Sequence, residues 1–461
     1  MSNIKDSEAL KESSSVAPST TQDAVFGKIT EQGPNYRNVG WLGTVALMLK
    51  NQLGLGVLSI PQAFDSLGIV PGVICLLAIA AITTWANYVI GTFKLNHPEV
   101  YAIDDAGELM FGRMGREIFA FGVCIYWIFS SGSGLLSTSI GLNAVSAHGT
   151  CTAVLVAVSA IASFILSSTR TLGKMKWAAW AGVASIFGAV MIATVAVALQ
   201  ERPPTAPQGD TFWVSDYKLV GNPSFTRAIT AVSSIVFAYS GAPGFFPIAA
   251  EMRDPSLYTR SLLICQFVIT IIYITVGVVI YYYCGSYVAS PALGSAGTLI
   301  KKVAYGISLP GLITSTVLGI HFSSKYTFIR LLRGSKHMTA NTFKHWATWL
   351  GCTFAFTIAS YLIASGIPNF GDLNSLIGAL LGTVMSFQSM GCMWIYDNWK
   401  YGSEQQPTLK WILLLLWNIL IIALGTFMMI GGTYGSIVNI VASGKATTES
   451  SAWSCADNSN S

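Results

Sequence analysis

Long runs of apolar residues alternate along the chain with short polar segments that carry most of its charges. Each run holds about 20 residues, which is enough for a helix to cross a hydrocarbon layer of roughly 30 Å. The pattern therefore predicts an all-α membrane protein with eleven spans, numbered here in chain order. They cover 41–69, 70–93, 117–145, 150–167, 177–199, 226–250, 257–284, 309–329, 345–365, 372–396 and 409–431.

The two ends of the chain lack this pattern. Residues 1–36 are rich in Ser, Thr, Lys and Glu and have no apolar period, which predicts a disordered cytoplasmic tail. The first apolar run, from Trp41, continues too long for a cleavable signal peptide. We expect one transmembrane transporter domain over 37–431 and a short extracellular tail over 432–461.

Composition agrees with a membrane protein: 52% of the 461 residues are hydrophobic and only 10% are charged. A soluble protein of this size could not cover its surface with so few charges. The net charge of +5 is small, so it does not indicate a nucleic-acid partner. We expect membrane lipids as the surroundings, and neither a cofactor nor a metal.

The distribution of basic residues predicts the orientation of the chain in the membrane. With the N-terminus inside, fourteen Lys and Arg fall in loops on the cytoplasmic side and five in loops on the outer side. This positive-inside bias predicts a cytoplasmic N-terminus and an extracellular C-terminus. Of the eight cysteines, none forms a CxxC pair, but Cys151, Cys284 and Cys455 fall near the outer face, where a disulfide is possible.

Two spans are interrupted at matching places. Span 1 contains Gly54-Leu55-Gly56, followed by Pro61, and span 6 contains Ser240-Gly241-Ala242-Pro243-Gly244, followed by Pro247. Gly and Pro weaken the helical hydrogen-bond ladder, and exposed backbone is tolerated at membrane depth only where it lines a cavity or is buried in protein. Spans 1 and 6 run in opposite directions, so the breaks indicate two inverted five-helix halves and one extra helix, as in transporters.

Each break exposes backbone groups that can bind a ligand. A half-helix starting at Gly56 presents free N–H groups and the positive end of its dipole, which suit a carboxylate. Half-helices ending before Gly54 and Gly241 present free carbonyls, which suit an ammonium group or a small cation. Together these poles fit an α-amino acid zwitterion. The candidate substrate residues in the breaks are Gly54, Leu55, Gly56, Val57, Ser240 and Gly241.

The run NQLGLGVLSIP in span 1 and the run FAYSGAPGFFP at Phe237–Pro247 resemble the amino acid/auxin permease family, and most of all its fungal neutral amino acid permeases. The resemblance covers about residues 38–431 and implies the LeuT-type five-plus-five fold. It further implies secondary active uptake of amino acids. The position that helps to hold substrate and ion in this superfamily is Asn51 here.

Lys50 is the unusual residue of span 1. It lies about ten residues, or roughly 15 Å, into the span, where a lysine costs about 2.5–3.5 kcal/mol. In one interpretation its ammonium group replaces a bound sodium ion beside the break, and its reversible protonation couples transport to a proton gradient. In the other it snorkels to the cytoplasmic interface.

Span 8 supplies the other ion-coupling candidates. The resemblance implies that hydroxyls of this span approach the ion, at about Ser323 and Ser324. His321 titrates near neutral pH when unperturbed, or is a packing histidine. Lys325 is close to the cytoplasmic end of span 8, so we expect it to snorkel, and at most one of the two lysines should be the charged occupant.

Aromatic residues are candidates for the walls around the substrate side chain. Tyr126 and Phe129 lie at mid-membrane depth in span 3, and Phe237 and Tyr239 flank the break of span 6. Each of them could equally serve core packing. Glu251 and its neighbours are expected to cap span 6 on the cytoplasmic side.

These features favour a proton-coupled plasma-membrane symporter for neutral amino acids, aromatic or bulky aliphatic ones among them. The alternatives are an amino acid sensor on the same fold, or a sodium-coupled or vacuolar transporter. The polar residues form no continuous hydrophilic face, which argues against a channel. No HExxH, GxSxG or paired mid-membrane carboxylates indicate an enzyme.

Overall fold

The structure is a computed structural model that describes residues 21–23, 27–29, 37, 39–169, 172–207, 213–335, 337–338, 342–367, 369–404, 408–446, 453 and 455–459. Most of the predicted disordered tail, 1–36, lies outside these residues. Within it the structure describes two short strands, Thr21–Asp23 and Gly27–Ile29, which pair antiparallel.

In the described part of the chain, ten helical segments are long and apolar enough to cross a membrane, and Thr152–Ser167 is a shorter apolar helix. These account for the eleven predicted spans. Spans 2 to 5 are Ile69–Asn96, Ile103–Ser146, Thr152–Ser167 and Leu172–Leu199. Spans 7, 8, 9 and 11 are Tyr258–Cys284, Thr298–Leu332, Phe343–Gly366 and Leu409–Ala446.

Spans 1, 6 and 10 depart from a regular α-helix in their middle parts. Span 1 consists of Trp41–Gln52, a 3-10 turn at Gly56–Ser59 and Ile60–Leu67, and span 6 of Phe225–Tyr239 and Ala242–Ala250. Span 10 runs from Phe370 to Glu404 with two π-helical turns, Ile377–Gly382 and Val384–Gln388. The first of these turns lies close against span 6, because a Cβ at Gly378 would lie 2.0 Å from the carbonyl oxygen of Ser233.

Several helices extend beyond the predicted spans. Span 8 begins at Thr298 instead of 309, and span 11 continues to Ala446 instead of ending at 431, so the C-terminal tail begins later than 432. Span 3 begins at Ile103, with a break at Gly112 (φ 67°), instead of at 117. Hydropathy measures only the apolar part of a helix, whereas a helix can continue into polar surroundings as long as its backbone bonds are made.

One of the possible disulfides is present. Cys151, just before span 4, is bonded to Cys455 in the C-terminal segment, while Cys284 is a buried free cysteine. The segment around Cys455 also packs on span 3, where Asn143 Nδ2 donates to Asn458 Oδ1 at 2.7 Å. The chain after span 11 therefore returns to the end of the bundle at which spans 3 and 4 meet. We call the opposite end, where span 1 begins, the basic end.

Candidate functional site

The two breaks have the same backbone geometry. Leu53 in span 1 has φ −77° and ψ 75°, and Ser240 in span 6 has φ −74° and ψ 65°. Gly54 N donates to Gln52 O at 2.9 Å, and Gly241 N donates to Tyr239 O at 2.7 Å. These are inverse γ-turns at matching positions of two oppositely directed helices. A pair of matching breaks is what an inverted repeat requires.

Side chains of span 1 reach the broken backbone of span 6. Asn51 Nδ2 donates to Gly241 O at 3.0 Å, and the next residue, Gln52, donates from Nε2 to Tyr239 O at 3.1 Å. The two backbones touch beside these bonds, because a Cβ at Gly56 would lie 2.5 Å from the Cα of Ala238. Only glycine allows this approach. The residue that the family resemblance singled out, Asn51, thus joins the two breaks.

Lys50 is buried, with 1% of its surface exposed. Its Nζ donates to the Ser315 hydroxyl of span 8 and to Leu53 O at 3.4 Å, in the break of its own span. The stem passes Gly182 of span 5, where a Cβ would lie 2.8 Å from Lys50 Cε. The side chain therefore does not snorkel. Within the described residues, no carboxylate forms an ion pair with it.

A small cavity of about 30 Å³ lies between spans 1, 3, 6 and 8. Its walls combine backbone of both breaks with aromatic and aliphatic side chains, and no acidic side chain of the described residues lines it. The lining residues are Lys50, Asn51, Gln52, Leu55, Gly56, Tyr126, Trp127, Ser130, Phe237, Ala238, Ser240, Ser315 and Leu318.

Tyr126 links the aromatic wall to the break. Its hydroxyl donates to Ser240 O at 2.5 Å, and its ring meets that of Trp127 at 5.1 Å. Trp127 in turn lies 5.1 Å from the ring of Phe322. A ligand side chain directed at span 3 would meet this aromatic cluster, whereas its polar groups would meet the backbone of the breaks.

Several predicted wall residues point elsewhere. Tyr239 is buried against span 7, with its hydroxyl 2.9 Å from that of Thr270. Phe129 packs partly buried against the core, and Val57 is buried in it.

The predicted glycines of the breaks meet protein groups. Gly54 faces Ser315, whose Oγ would lie 2.6 Å from an added Cβ, and the carbonyl of Gly241 accepts a hydrogen bond from Asn51. A helical pattern does not determine which way a side chain points once the helix is broken.

The candidates of span 8 are separated from the cavity by about two turns. The hydroxyl that meets Lys50 is Ser315, whereas Ser323 donates to Gly319 O and Ile320 O of its own helix. Ser324 is buried further along span 8, towards the basic end. His321 is buried with its ring 5.4 Å from that of Trp349 in span 9. The predicted span 8 began at residue 309, eleven residues after the start of the helix at Thr298. Its midpoint was therefore placed too close to the basic end.

Lys325 pairs with a carboxylate instead of snorkelling. Its Nζ is 2.5 Å from Glu251 Oε1, and both side chains are buried. Tyr101, between spans 2 and 3, donates to the same oxygen at 3.4 Å. The backbone of Glu251 accepts from Val39 N at 3.2 Å. The expected cap at the end of span 6 is thus a buried ion pair that joins span 6 to span 8.

Sequence reasoning missed four residues that organise the site: Gln52, Trp127, Ser315 and Tyr273. Ser315 stands in the run Thr314-Ser315-Thr316, the densest hydroxyl cluster of span 8, and this run was an available signal. Gln52 is a polar residue next to Asn51 in an apolar span. Trp127 and Tyr273 look like ordinary core aromatics, and no local pattern distinguishes them.

Comparison with known proteins agrees with this architecture. The sequence profile of the family described as "Transmembrane amino acid transporter protein" matches residues 37–438. The chain belongs to this family of transmembrane amino acid transporters. It is thus a member of a transporter family and not of an enzyme family.

Relatives of the transporter occur in fungi and plants. It is 36% identical to a "Transmembrane transporter" of Gibberella moniliformis, over 93% of this chain and 89% of that one. It is 33% identical to the "N amino acid transport system protein" of Neurospora crassa, over 91% and 89% of the two chains. An "Amino acid transporter AVT1J" of Arabidopsis thaliana shares 25% identity over 83% and 88%.

The fold of the transporter matches a solved structure, that of a Na⁺-coupled sialic acid symporter in its substrate-bound outward-open state. The two align with a TM-score of 0.55 over 89% of this chain and 90% of that one, at 13% identity. This likeness confirms the LeuT-type fold that the family resemblance implied.

Proposed function

We propose that the transporter imports neutral L-amino acids by proton symport with alternating access. The proposal extends the family assignment in two respects, the substrate class and the coupling ion. The observation that carries it is the position of Lys50, whose ammonium group lies between a carbonyl of the span 1 break and a hydroxyl of span 8.

Lys50 supplies a coupling step without a metal ion. Its acceptors, Leu53 O and Ser315 Oγ, are neutral oxygens of the kind that would hold a small cation. A proton taken up by the Lys50 amine from the outside creates the ammonium group that joins span 1 to span 8. Release of that proton to the inside removes the link. One proton would thus accompany each cycle.

The two breaks supply the poles for the amino acid. The backbone N–H groups at the start of the 3-10 turn, from Gly56, suit the carboxylate. The carbonyl of Ser240, held by Tyr126, and those around Gly241 suit the ammonium group. Asn51 lies between the two poles and holds the geometry of the second.

The walls favour a neutral side chain. The residues that face the cavity from spans 1, 3, 6 and 8 include Leu55, Tyr126, Trp127, Phe237 and Leu318. A cationic side chain would find no carboxylate there, and an anionic one would compete with the acceptors of Lys50. Aromatic and bulky aliphatic amino acids would gain most from these apolar contacts.

We place the transporter in the plasma membrane, with the N-terminus in the cytoplasm and the C-terminus outside. The bond between Cys151 and Cys455 supports this orientation, because disulfides persist on the oxidising side of cellular membranes. The positive-inside bias assigns the same end of the bundle to the outside. A membrane-impermeant reagent should reach a tag at the C-terminus of intact cells but not one at the N-terminus.

The deciding experiment is uptake by purified transporter in proteoliposomes, with all twenty amino acids as competitors and imposed pH or sodium gradients. We expect neutral amino acids to compete, uptake to rise as the outside pH falls, and a protonophore to abolish accumulation. Sodium-driven uptake that ignores pH would contradict proton coupling. Absence of counterflow with every amino acid would point to a sensor on the same fold.

A further inference from the structure

Tyr273 of span 7 joins the two breaks from outside the cavity. Its ring is fully buried, and its hydroxyl lies 2.8 Å from Gln52 O and 3.0 Å from Ala238 O, donating to both. Gln52 ends the first half of span 1, and Ala238 lies in the last turn of the first half of span 6. One hydroxyl group therefore connects the carbonyl ends of both interrupted helices.

The hydrogen bonds of Tyr273 satisfy backbone carbonyls at the two breaks. A helix that stops at mid-membrane depth leaves its last carbonyls without partners, and no water is available in a packed interior to satisfy them. Tyr273 satisfies one carbonyl from each break with a single hydrogen, which holds the two carbonyls close together. Its ring lies 5.1 Å from that of Tyr239, so its position is set by packing as well.

Other contacts limit the movement of one break against the other. Gly56 lies against Ala238, where no side chain would fit, and Gln52 reaches Tyr239 O. Asn51 and Gln52 line the cavity, so substitutions there would also alter the surface that meets a ligand. Tyr273 also holds the distance between the two breaks, but it does not face the cavity. A substitution of Tyr273 therefore tests the effect of this distance without changing the surface that meets a ligand.

The spacing matters because the ligand has two poles. In an α-amino acid one carbon atom separates the amino nitrogen from the carboxylate carbon. In β- and γ-amino acids two and three carbons separate them, so the poles move apart. A site that binds the carboxylate at the break of span 1 and the ammonium group at the break of span 6 is sensitive to this distance.

We propose that Tyr273 is a positioning residue that fixes the distance between the two breaks and thereby selects α-amino acids over β- and γ-amino acids. The inference rests on the proposed function, since it assumes that the two breaks bind the two poles of one substrate. Loss of the hydroxyl removes the donor that the two carbonyls share, although Gln52 O still accepts from Gly54 N. The breaks can then separate, which favours the longer zwitterions relative to the α-amino acid.

The test compares Y273F with Y258F in proteoliposomes. Tyr258 is a matched control, since it is on the same span, is buried, and donates to a backbone carbonyl, that of Asn87 at 3.1 Å, away from both breaks. The readout is the ratio of kcat/KM for L-alanine to that for β-alanine and for γ-aminobutyrate. This ratio does not depend on how much of the protein is folded.

We expect Y273F to lower the ratio by about 3- to 10-fold, the range expected for one hydrogen bond, and Y258F to leave it unchanged. If Y273F fails to fold, G56A widens the same spacing, because the added methyl must push span 6 away from span 1. Gly56 also lines the cavity, so G56A is compared with wild type through the ratio alone, and an unchanged ratio in G56A would then overturn the proposal.

Three outcomes separate the hypotheses. An unchanged ratio in a folded Y273F, or an equal change in Y258F, would overturn the role of Tyr273. Wild-type protein that transports no amino acid at all would instead overturn the proposed function.

Discussion

Two buried lysines link span 8 to an interrupted span, and the groups around them differ. Lys325, near the basic end, lies 2.5 Å from a carboxylate oxygen of Glu251. Lys50, beside the breaks, donates to the hydroxyl of Ser315 and the carbonyl of Leu53. Both join span 8 to a broken span, but only the first does so as an ion pair.

The different partners of the two lysines indicate which one is suited to exchange a proton. If Lys325 lost its proton, Glu251 would remain as a buried charge with fewer partners, which is costly. If Lys50 lost its proton, its neutral acceptors would remain neutral. The pair Lys325–Glu251 at the basic end is therefore suited to hold spans 6 and 8 together. Lys50 at the breaks is suited to gain and lose a proton.

The largest effect is expected from K325M. Removal of one partner from a buried pair typically costs about 3–5 kcal/mol, since it leaves the other charge uncompensated. K325M should therefore lower the thermal stability of the purified transporter strongly, and the double variant E251Q/K325M should recover most of the loss. A double variant as unstable as the sum of the two single variants would show that the pair does not act as a unit.

K50M should behave in the opposite way. Methionine keeps the volume and removes a buried charge, so we expect no loss of thermal stability. The ammonium link to span 8 is lost, however, and hydrogen bonds of charged groups contribute about 1.5–3 kcal/mol. Proton-driven uptake should fall by about 100-fold, and the remaining uptake should not depend on pH. Proton coupling that survives in K50M would refute the assigned role.

S315A is expected to have a smaller effect on the same step. The ammonium form of Lys50 loses one of its two acceptors, while Leu53 O remains. A hydrogen bond from a charged group is worth about 1.5 kcal/mol at the lower end of its range, so uptake should fall by about 10-fold. Since the protonated form is the one that loses an acceptor, a more acidic outside should restore part of the rate. A rate that is lower by the same factor at every pH would argue against this explanation.

S323A should have the smallest effect. Ser323 bonds only to carbonyls of its own helix among the contacts described, Gly319 O and Ile320 O, so its loss leaves the lysines untouched. We expect uptake and pH dependence within about twofold of wild type, as for substitutions away from special features. Comparison with S315A at equal expression then tests which hydroxyl of span 8 belongs to the site. A larger effect of S323A would mean that span 8 is rotated or shifted during transport.

Much of the fold could be predicted, because membrane insertion is decided locally. Some 20 apolar residues suffice for a span, and Gly with Pro suffices to weaken one. The breaks at Gly54 and Gly241 and the presence of eleven apolar helices follow from these rules. The place of Asn51 came from the family resemblance and not from these rules. The extent of span 8 does not follow from them, because its first residues, with Lys301 and Lys302, are helical but not apolar.

The candidate site was predicted only in part. Lys50 was singled out because a charge in an apolar span is unusual, but the choice between coupling and snorkelling depended on Ser315, which is 265 residues away in the chain. Lys325 was expected to snorkel because it is close to the cytoplasmic end of span 8; its partner, Glu251, is 74 residues away in the chain. Tyr239 and Phe129 had the right depth but point away from the cavity.

The sequence by itself determined the number of helices, the positions where two of them open, and the presence of a lysine at one opening. The tertiary structure alone decided that Lys325 pairs with a carboxylate, that Lys50 forms no ion pair among the described residues, and that Tyr273 joins the two breaks. Hydropathy and backbone preference act within about one span, whereas contacts between spans depend on how each helix is rotated and shifted against its neighbours. That rotation is set by close packing of the whole bundle, such as glycine against backbone at Gly56 and Gly378.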